Sequence, residues 1–198
     1  MNDNEIYVID TETTGLERSD LVVEVGICKV NTADCSVKDV YSSVVGYDVS
    51  KWDKPKKNAW IFSNSDLKLD DVKNAKKYIE VVNDIKGILF GKNVTAYNIS
   101  FDFGKFLQYD PWNLTKSGIR LRGCLMLAAD YIDEIPRSIE NDDFRSWPKL
   151  DVAYSVLCPD DPADIKGEQT HRALSDARMA SHILLKMTEM GYYPSEYR

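Results

Sequence analysis

Residues 5–10, Glu-Ile-Tyr-Val-Ile-Asp, form a short apolar run rich in β-branched side chains with Gly15 close behind, the pattern of a buried strand running into a turn. Leu21, Val23, Val25 and Ile27 then share one face of a second strand over 21–30, and 37–45 reads as a third, joined to it by the short polar link 31–36. Three consecutive strands with short links predict an antiparallel meander. The period changes after that. Val72, Ala75, Ile79, Val82, Ile85 and Leu89 fall at helical spacing, so one helix is expected from Asp70 or Asp71 to Leu89, with Gly91 as its stop. A fourth strand over 94–97, a helix over 101–108 closed by Pro111, and a fifth strand over 119–124 follow. Short helices over 125–132 and 150–157 flank an acidic connector, and a long helix over 174–190 ends at Gly191 and Pro194. Strands alternating with helices after a meander mean that the sheet turns parallel. The expected fold is therefore α/β, a mixed five-stranded sheet flanked by helices, in a single domain over 1–198.

Composition narrows the class. A chain of 198 residues with 43% hydrophobic content can bury one core. No apolar run approaches the roughly 18 residues of a spanning helix, and the start Met1-Asn2-Asp3-Asn4-Glu5 lacks the basic opening of a targeting signal. A cytoplasmic protein with no membrane partner is expected. Cys28, Cys35, Cys124 and Cys158 show no C-x-x-C spacing and read as reduced, structural thiols, and two histidines, His171 and His182, are too few to suggest zinc. The net charge of −7 argues against a nucleic-acid partner, but it is unevenly spread. Residues 51–92 carry ten lysines against six acids, a local +4, while 130–164 carry ten acids against three bases, a local −7. The basic stretch opens Lys51-Trp52-Asp53-Lys54-Pro55-Lys56-Lys57-Asn58-Ala59-Trp60. Taken alone it reads first as a solvated loop whose indoles turn inward, and second as a grip on single-stranded nucleic acid, cations on phosphates and rings under bases.

Acids stand where a core is expected. Asp10 ends the first strand and Glu12 lies two residues on, on the same side of an extended chain; Asp3 and Glu5 have the same spacing on a polar terminus with nothing to hold them. Asp102 sits between Phe101 and Phe103 with Phe106 one turn later, and Asp176 shares a helix face with Ala180, Ile183 and Met187. A buried carboxylate needs a partner. Arg172, Arg178 or the start of the last helix could serve one of them. Four acids call for more positive charge, and an oxygen-only ligand set suits Mg²⁺ or Mn²⁺. His171, five residues before Asp176 in His-Arg-Ala-Leu-Ser-Asp, is suited to take a proton from a water; His182, mid-helix, reads as a packing or surface residue.

With these residues placed, the chain resembles the DEDDh branch of the DnaQ-like 3′-to-5′ exonucleases, in the ribonuclease H-like superfamily. The matches are Asp10-Thr11-Glu12-Thr13-Thr14-Gly15-Leu16, Ala96-Tyr97-Asn98-Ile99-Ser100-Phe101-Asp102, and His171-Arg172-Ala173-Leu174-Ser175-Asp176-Ala177, in the family's order over residues 10–177. Cys124-Leu125-Met126-Leu127-Ala128 and Trp147-Pro148-Lys149-Leu150 are fainter echoes of DNA-degrading members, and Gly123-Cys124 departs from the Asp-Thr of many relatives. The resemblance implies a ribonuclease H-like fold and hydrolysis of phosphodiester bonds from a 3′ end, releasing 5′-mononucleotides. By the same resemblance Asp10, Glu12 and Asp176 would hold one divalent cation, Asp10 would bridge to a second supported by Asp102, and His171 would be the general base. Thr13 and Leu16 would pack on the terminal nucleotide, unless they only form a tight turn, and Asn98 and Phe101 would line the cleft. Glu24 matches a common family position but reads as a strand-edge or salt-bridge residue rather than a chemical one. The expected substrate is DNA with a free 3′ end, single-stranded first; an RNA trimmer, or a polymerase-associated proofreading or binding module, are the rivals, and a polymerase or a second copy of the chain is a possible partner. Two divalent cations would bring the net −7 to −3, so phosphate is expected to be drawn to bound metal and a local basic lip.

Overall fold

In β1 (Glu5–Thr13) the residues Ile6, Tyr7, Val8 and Ile9 are all buried. Ile6 and Val8 enter one core cluster and Tyr7 and Ile9 another, so alternating side chains are covered on both faces and β1 lies inside a layered α/β structure. The computed structural model describes residues 3–137, 146–160 and 170–193. There, β2 (Val22–Asn31) and β3 (Ser36–Val44) extend β1 as the expected antiparallel meander. β4 (Asn93–Thr95) and β5 (Arg120–Leu121) add in parallel on its other side, giving the order β3-β2-β1-β4-β5. The mixed five-stranded sheet is as read from the sequence. Exposed Lys38 and Asp39 on β3 keep that edge charged.

Between β3 and β4 lie α1 (Lys54–Lys57), α2 (Ile61–Asn64), α3 (Leu69–Asn74) and α4 (Tyr78–Leu89). The single helix expected up to Leu89 is thus two. Gly46 forms a parallel bridge to Lys77, accepting from Tyr78 N at 3.1 Å and donating to Lys76 O at 2.7 Å, which pulls the backbone at 75–77 out of the helix. Ile79, counted as a core position, is exposed in consequence, whereas Val82, Ile85 and Leu89 are buried. The helix expected over 101–108 is a short α5 (Ile99–Phe101) running into a π-helical turn, Asp102–Leu107. A π-turn of this kind often marks a functional segment. The fifth strand is only two residues long, because the chain beyond Leu121 donates from Arg122 N to Val94 O and then caps α6 (Leu125–Ala129), with Met126 N bonded to Tyr97 O.

α7 (Leu150–Leu157) and α8 (Ala173–Glu189) complete the α-helices among the described residues. α6, α7 and α8 pack on the Ile6–Val8 face; α4 and the π-turn cover the other. The stop at Pro194 and parts of the acidic connector lie outside the described residues. Cys28, Cys124 and Cys158 are buried and in no disulfide, but Cys35 is exposed in the β2–β3 turn, so the structural reading does not extend to it. No helix among the described residues is long and apolar enough to cross a membrane.

Candidate active site

Three elements deliver the acids to one place. Asp10 and Glu12, on the second half of β1, lie opposite Gly26 and Glu24 of β2. A β-carbon at Gly26 would stand 2.3 Å from the backbone of Ala173 and Leu174. Its absence admits the first turn of α8 onto the sheet beside Asp10, and that turn carries Asp176, only 1% exposed. Asp102, 3% exposed, opens the π-turn that follows β4 and α5. Thr11 Oγ1 donates to its Oδ1 at 2.7 Å and ties it to β1. His171 precedes α8 with φ of +52°, a left-handed backbone uncommon outside glycine. Ligand atoms of Glu12, His171 and Asp176 all fall within 4.8 Å of one another.

Asp10, Glu12, Asp102, His171 and Asp176 line one cleft of about 430 Å³, with Asn98 and Phe101 on its wall. Thr13 and Leu16 line an adjoining cleft of about 490 Å³ that shares Thr11, Glu12 and Phe101 with the first. The sequence-derived candidates therefore surround one continuous region. Thr13 Oγ1 donates to Gly15 O at 2.7 Å and Leu21 N to Thr14 Oγ1 at 3.0 Å, so the turn is fixed while the Leu16 side chain stands 68% exposed, supported by Lys105 Nζ on its carbonyl. Asn98 accepts from Phe101 N at 3.2 Å and caps α5.

The carboxylates crowd one another out of water. Burial first, then the neighbouring charges of Asp102, Asp176, Glu12 and Glu24, holds the Asp10 carboxyl well above its ordinary range. Burial, then Asp176, Glu24 and Asp102 against the opposing Arg172, lifts Glu12 to about 9. Burial raises Asp102 to about 7 despite the hydrogen bonds from Thr11 that pull it down. Such a nest is costly without a cation, and its hard oxygen donors fit Mg²⁺ or Mn²⁺. Of the arginines weighed as partners for Asp176, Arg172 reaches Glu24 through Nε and Nη2, at 3.0 and 2.7 Å, and Asp66 through Nη1 at 2.5 Å, while Arg178 pairs with Asp39. The salt-bridge reading of Glu24 is borne out. Burial lowers His171 below its usual value and favours the neutral ring, the form that accepts a proton. His182 lies edge-on to Tyr154, as a packing residue does.

Three contributors escaped the sequence reading. Thr11 and Gly26 act through partners far along the chain, although a glycine interrupting the apolar strand 21–30 was a visible signal of close approach. Trp60 was read first as turning inward; it is 58% exposed, lines the second cleft, and sets its ring 4.6 Å from that of His171. Trp52 keeps the inward reading in part, packed against the cluster of Val23, Ile61 and Val72. The segment around Trp147 and Lys149 lines the acidic cleft, and Tyr97 OH donates to Pro148 O at 2.9 Å to hold it there.

Known proteins resemble the chain in sequence and in fold. It is 26% identical over 186 residues to the PolC-type DNA polymerase III of Thermotoga petrophila, a match that takes in 92% of this chain but only 12% of that one. The nuclease domain of 3′hExo, described as a DEDDh family member and bound to rAMP, superposes with a TM-score of 0.63 at 15% identity, over 95% of this chain and 93% of the other. Exonuclease I of E. coli in complex with a dA16 oligonucleotide gives 0.67 at 13% identity, over 94% of this chain and 41% of the other. At such identities these two likenesses speak for the ribonuclease H-like fold. The RNase_T family model, described as exonuclease, matches residues 7–184, nearly the whole chain, and the protein is accordingly a member of that exonuclease family.

Proposed function

We propose that the protein is a metal-dependent 3′-to-5′ exonuclease that removes 5′-mononucleotides from the 3′ end of DNA, with single strands preferred. The observation that carries the reading is the convergence of Asp10, Glu12, Asp102, His171 and Asp176 on one cleft, beside the exposed apolar ledge of Leu16. Asp10, Glu12, Asp102 and Asp176 would hold two divalent cations, Mg²⁺ or Mn²⁺. Cations so held acidify a water and neutralise charge building on the leaving oxygen. His171, whose pKa burial lowers, takes the proton of the attacking water onto its ring nitrogen. Water oxygen joins phosphorus as the bond from phosphorus to the 3′ oxygen of the penultimate nucleotide breaks. The released nucleotide keeps its 5′-phosphate, and the departing 3′ oxygen takes a proton from solvent water, so the shortened strand ends in a 3′-hydroxyl. Thr13, Leu16, Asn98 and Phe101 position the terminal nucleotide, and the Leu16 side chain, held out by a rigid turn, is shaped to part stacked bases.

The test is an assay of 5′-labelled single-stranded DNA, duplex DNA and RNA, each with Mg²⁺, Mn²⁺ or EDTA, with Asp10→Ala as control. Stepwise shortening of unblocked single-stranded DNA, stopped by EDTA, by Asp10→Ala or by a blocked 3′ end, is expected. Internal cleavage products, or full activity in Asp10→Ala, would overturn it, and faster shortening of RNA would make the protein an exoribonuclease. A polymerase partner is a second reading, favoured by the PolC-type relative. Co-elution with a replicative polymerase of the same source would support it, and a doubled mass of the isolated chain would indicate a homodimer instead.

A further inference from the structure

His171 stands in a left-handed backbone conformation just before α8, and two residues of one distant segment reach it and its neighbour Arg172. The Trp60 ring meets the imidazole nearly at right angles, 81° between planes and 4.6 Å between centroids. The next residue, Arg172, is fastened twice: to Glu24, which also accepts from Ala173 N at 3.1 Å, and to Asp66 through Nη1 at 2.5 Å. Trp60 and Asp66 both belong to the stretch between β3 and α4. Their placement follows from their neighbours. Ala59, Ile61 and Leu67 are buried in one cluster with Val23, the residue before Glu24, so the chain is pinned to β2 on each side of the indole and just after the aspartate. Trp60 itself stays mostly exposed, an expensive position for the largest apolar side chain unless it serves something beyond the core.

We propose that Trp60 and Asp66 are positioning residues that clasp the 170–172 loop and aim the His171 ring into the carboxylate cleft. The inference rests on the reading of His171 as general base. An imidazole that must meet a water with correct distance and angle loses most of its effect if the loop swings by an ångström. Indole contact restrains the ring and the Arg172–Asp66 pair restrains the backbone next to it. Arg172–Glu24, buried on the glutamate side, is the stronger fastening, so Asp66 adds a smaller increment.

Kinetics and NMR of Trp60→Ala, Trp60→Phe and Asp66→Asn test the clasp, on strands ending in a normal or an abasic 3′ nucleotide. Trp60→Ala is expected to lower kcat about tenfold or more, with KM changed less than about twofold. The loss should be equal on the abasic end, should be largely restored in Trp60→Phe, and should vanish when His171→Ala is already present. Asp66→Asn should lower kcat about two- to fivefold. Because the chain has only two histidines, the carbon-bound ring protons of His171 can be assigned with a His182 variant, and the indole's ring current should displace them in the wild type and release them in Trp60→Ala. A loss confined to KM that disappears on the abasic end would make Trp60 a base-stacking residue only and overturn the proposal. Unmoved His171 signals in both Trp60→Ala and Asp66→Asn would do the same. Should the wild type degrade no nucleic acid, the functional reading fails, while the ring signals still decide whether the clasp exists.

Discussion

Two of the groups proposed to do chemistry, Asp102 and His171, contact residues that have no part in it, Thr11 and Trp60. Thr11 is the clearest case: its hydroxyl bonds Asp102 across 91 positions of sequence and lowers a pKa that burial has raised to about 7. Thr11→Val keeps the volume and removes the donor. A hydrogen bond to a charged group contributes about 1.5–3 kcal/mol, so the Asp102 pKa should climb by about one to two units. Protons and divalent cations compete for that carboxylate, so the pH at which half-saturation with Mn²⁺ is reached at a fixed concentration should rise by a similar amount, measured by calorimetric titration across pH 5–8. An unchanged profile would remove Thr11 from the site. His171→Ala acts differently: kcat should fall about 10²–10⁴-fold while Mn²⁺ affinity changes little, because the oxygen donors remain. A parallel loss of Mn²⁺ binding would show the ring to be a ligand instead of a base. Asp10, Glu12, Asp102 and Asp176 were legible because a carboxylate in an apolar pattern demands a reason. Thr11 was not, since a threonine in a strand is ordinary until its partner is known.

At the level of elements, periodicity reports which face a segment buries and says little about where its backbone is interrupted. Val82, Ile85 and Leu89 were placed correctly on the core face of α4 by their spacing. The break before Tyr78 was not, because it is imposed by Gly46, a residue of the preceding segment, through backbone hydrogen bonds that leave no mark in the helical pattern. The same holds for the π-turn at Asp102, whose side-chain spacing matches an α-helix to within a residue. Gly26 is where such hidden geometry matters most. It lies opposite Asp10 and beneath the first turn of α8, so Gly26→Ala forces backbone atoms 2.3 Å away to move. Overpacking of this kind destabilises by about 1–3 kcal/mol, read as a lower denaturant midpoint with an unchanged slope. The proposed divalent-dependent activity should drop further than stability does, since Asp176 rides on the displaced turn while every side chain proposed to be catalytic is still present. Retained activity at a lowered midpoint would show that α8 can shift without carrying Asp176 away from Asp10.

For the whole molecule, the net charge of −7 conceals where the negative charge sits, and its distribution links stability to pH from two sides. Surface carboxylates such as Asp39, paired with Arg178, and Asp84, paired with Lys76, have lowered pKa values; they stabilise the fold above their ordinary titration range and lose that contribution as pH falls below about 4. The carboxylates of the cleft do the reverse. Glu12 moves from 4.5 to about 9 and Asp102 from 3.8 to about 7, so between those limits the folded chain holds protons that the unfolded chain has released. Stability from these groups is complete below about pH 4 and is lost as pH rises through 7 and then 9. The EDTA-treated protein should therefore be most stable near pH 5, with Tm falling steadily toward pH 9. On the proposed function, divalent cations would bind the deprotonated, folded cleft and replace the missing protons as counter-charge, so the rise in Tm on adding Mn²⁺ should grow from pH 5 to pH 8. Asp10→Asn should do part of this without any metal, raising the Tm of the EDTA-treated protein at pH 8 and shrinking the Mn²⁺ increment. Scanning calorimetry of the two proteins over this range decides the point: a Mn²⁺ increment independent of pH, or an Asp10→Asn variant no more stable than the wild type at pH 8, would mean that the buried acids are neutralised by some other group in the fold.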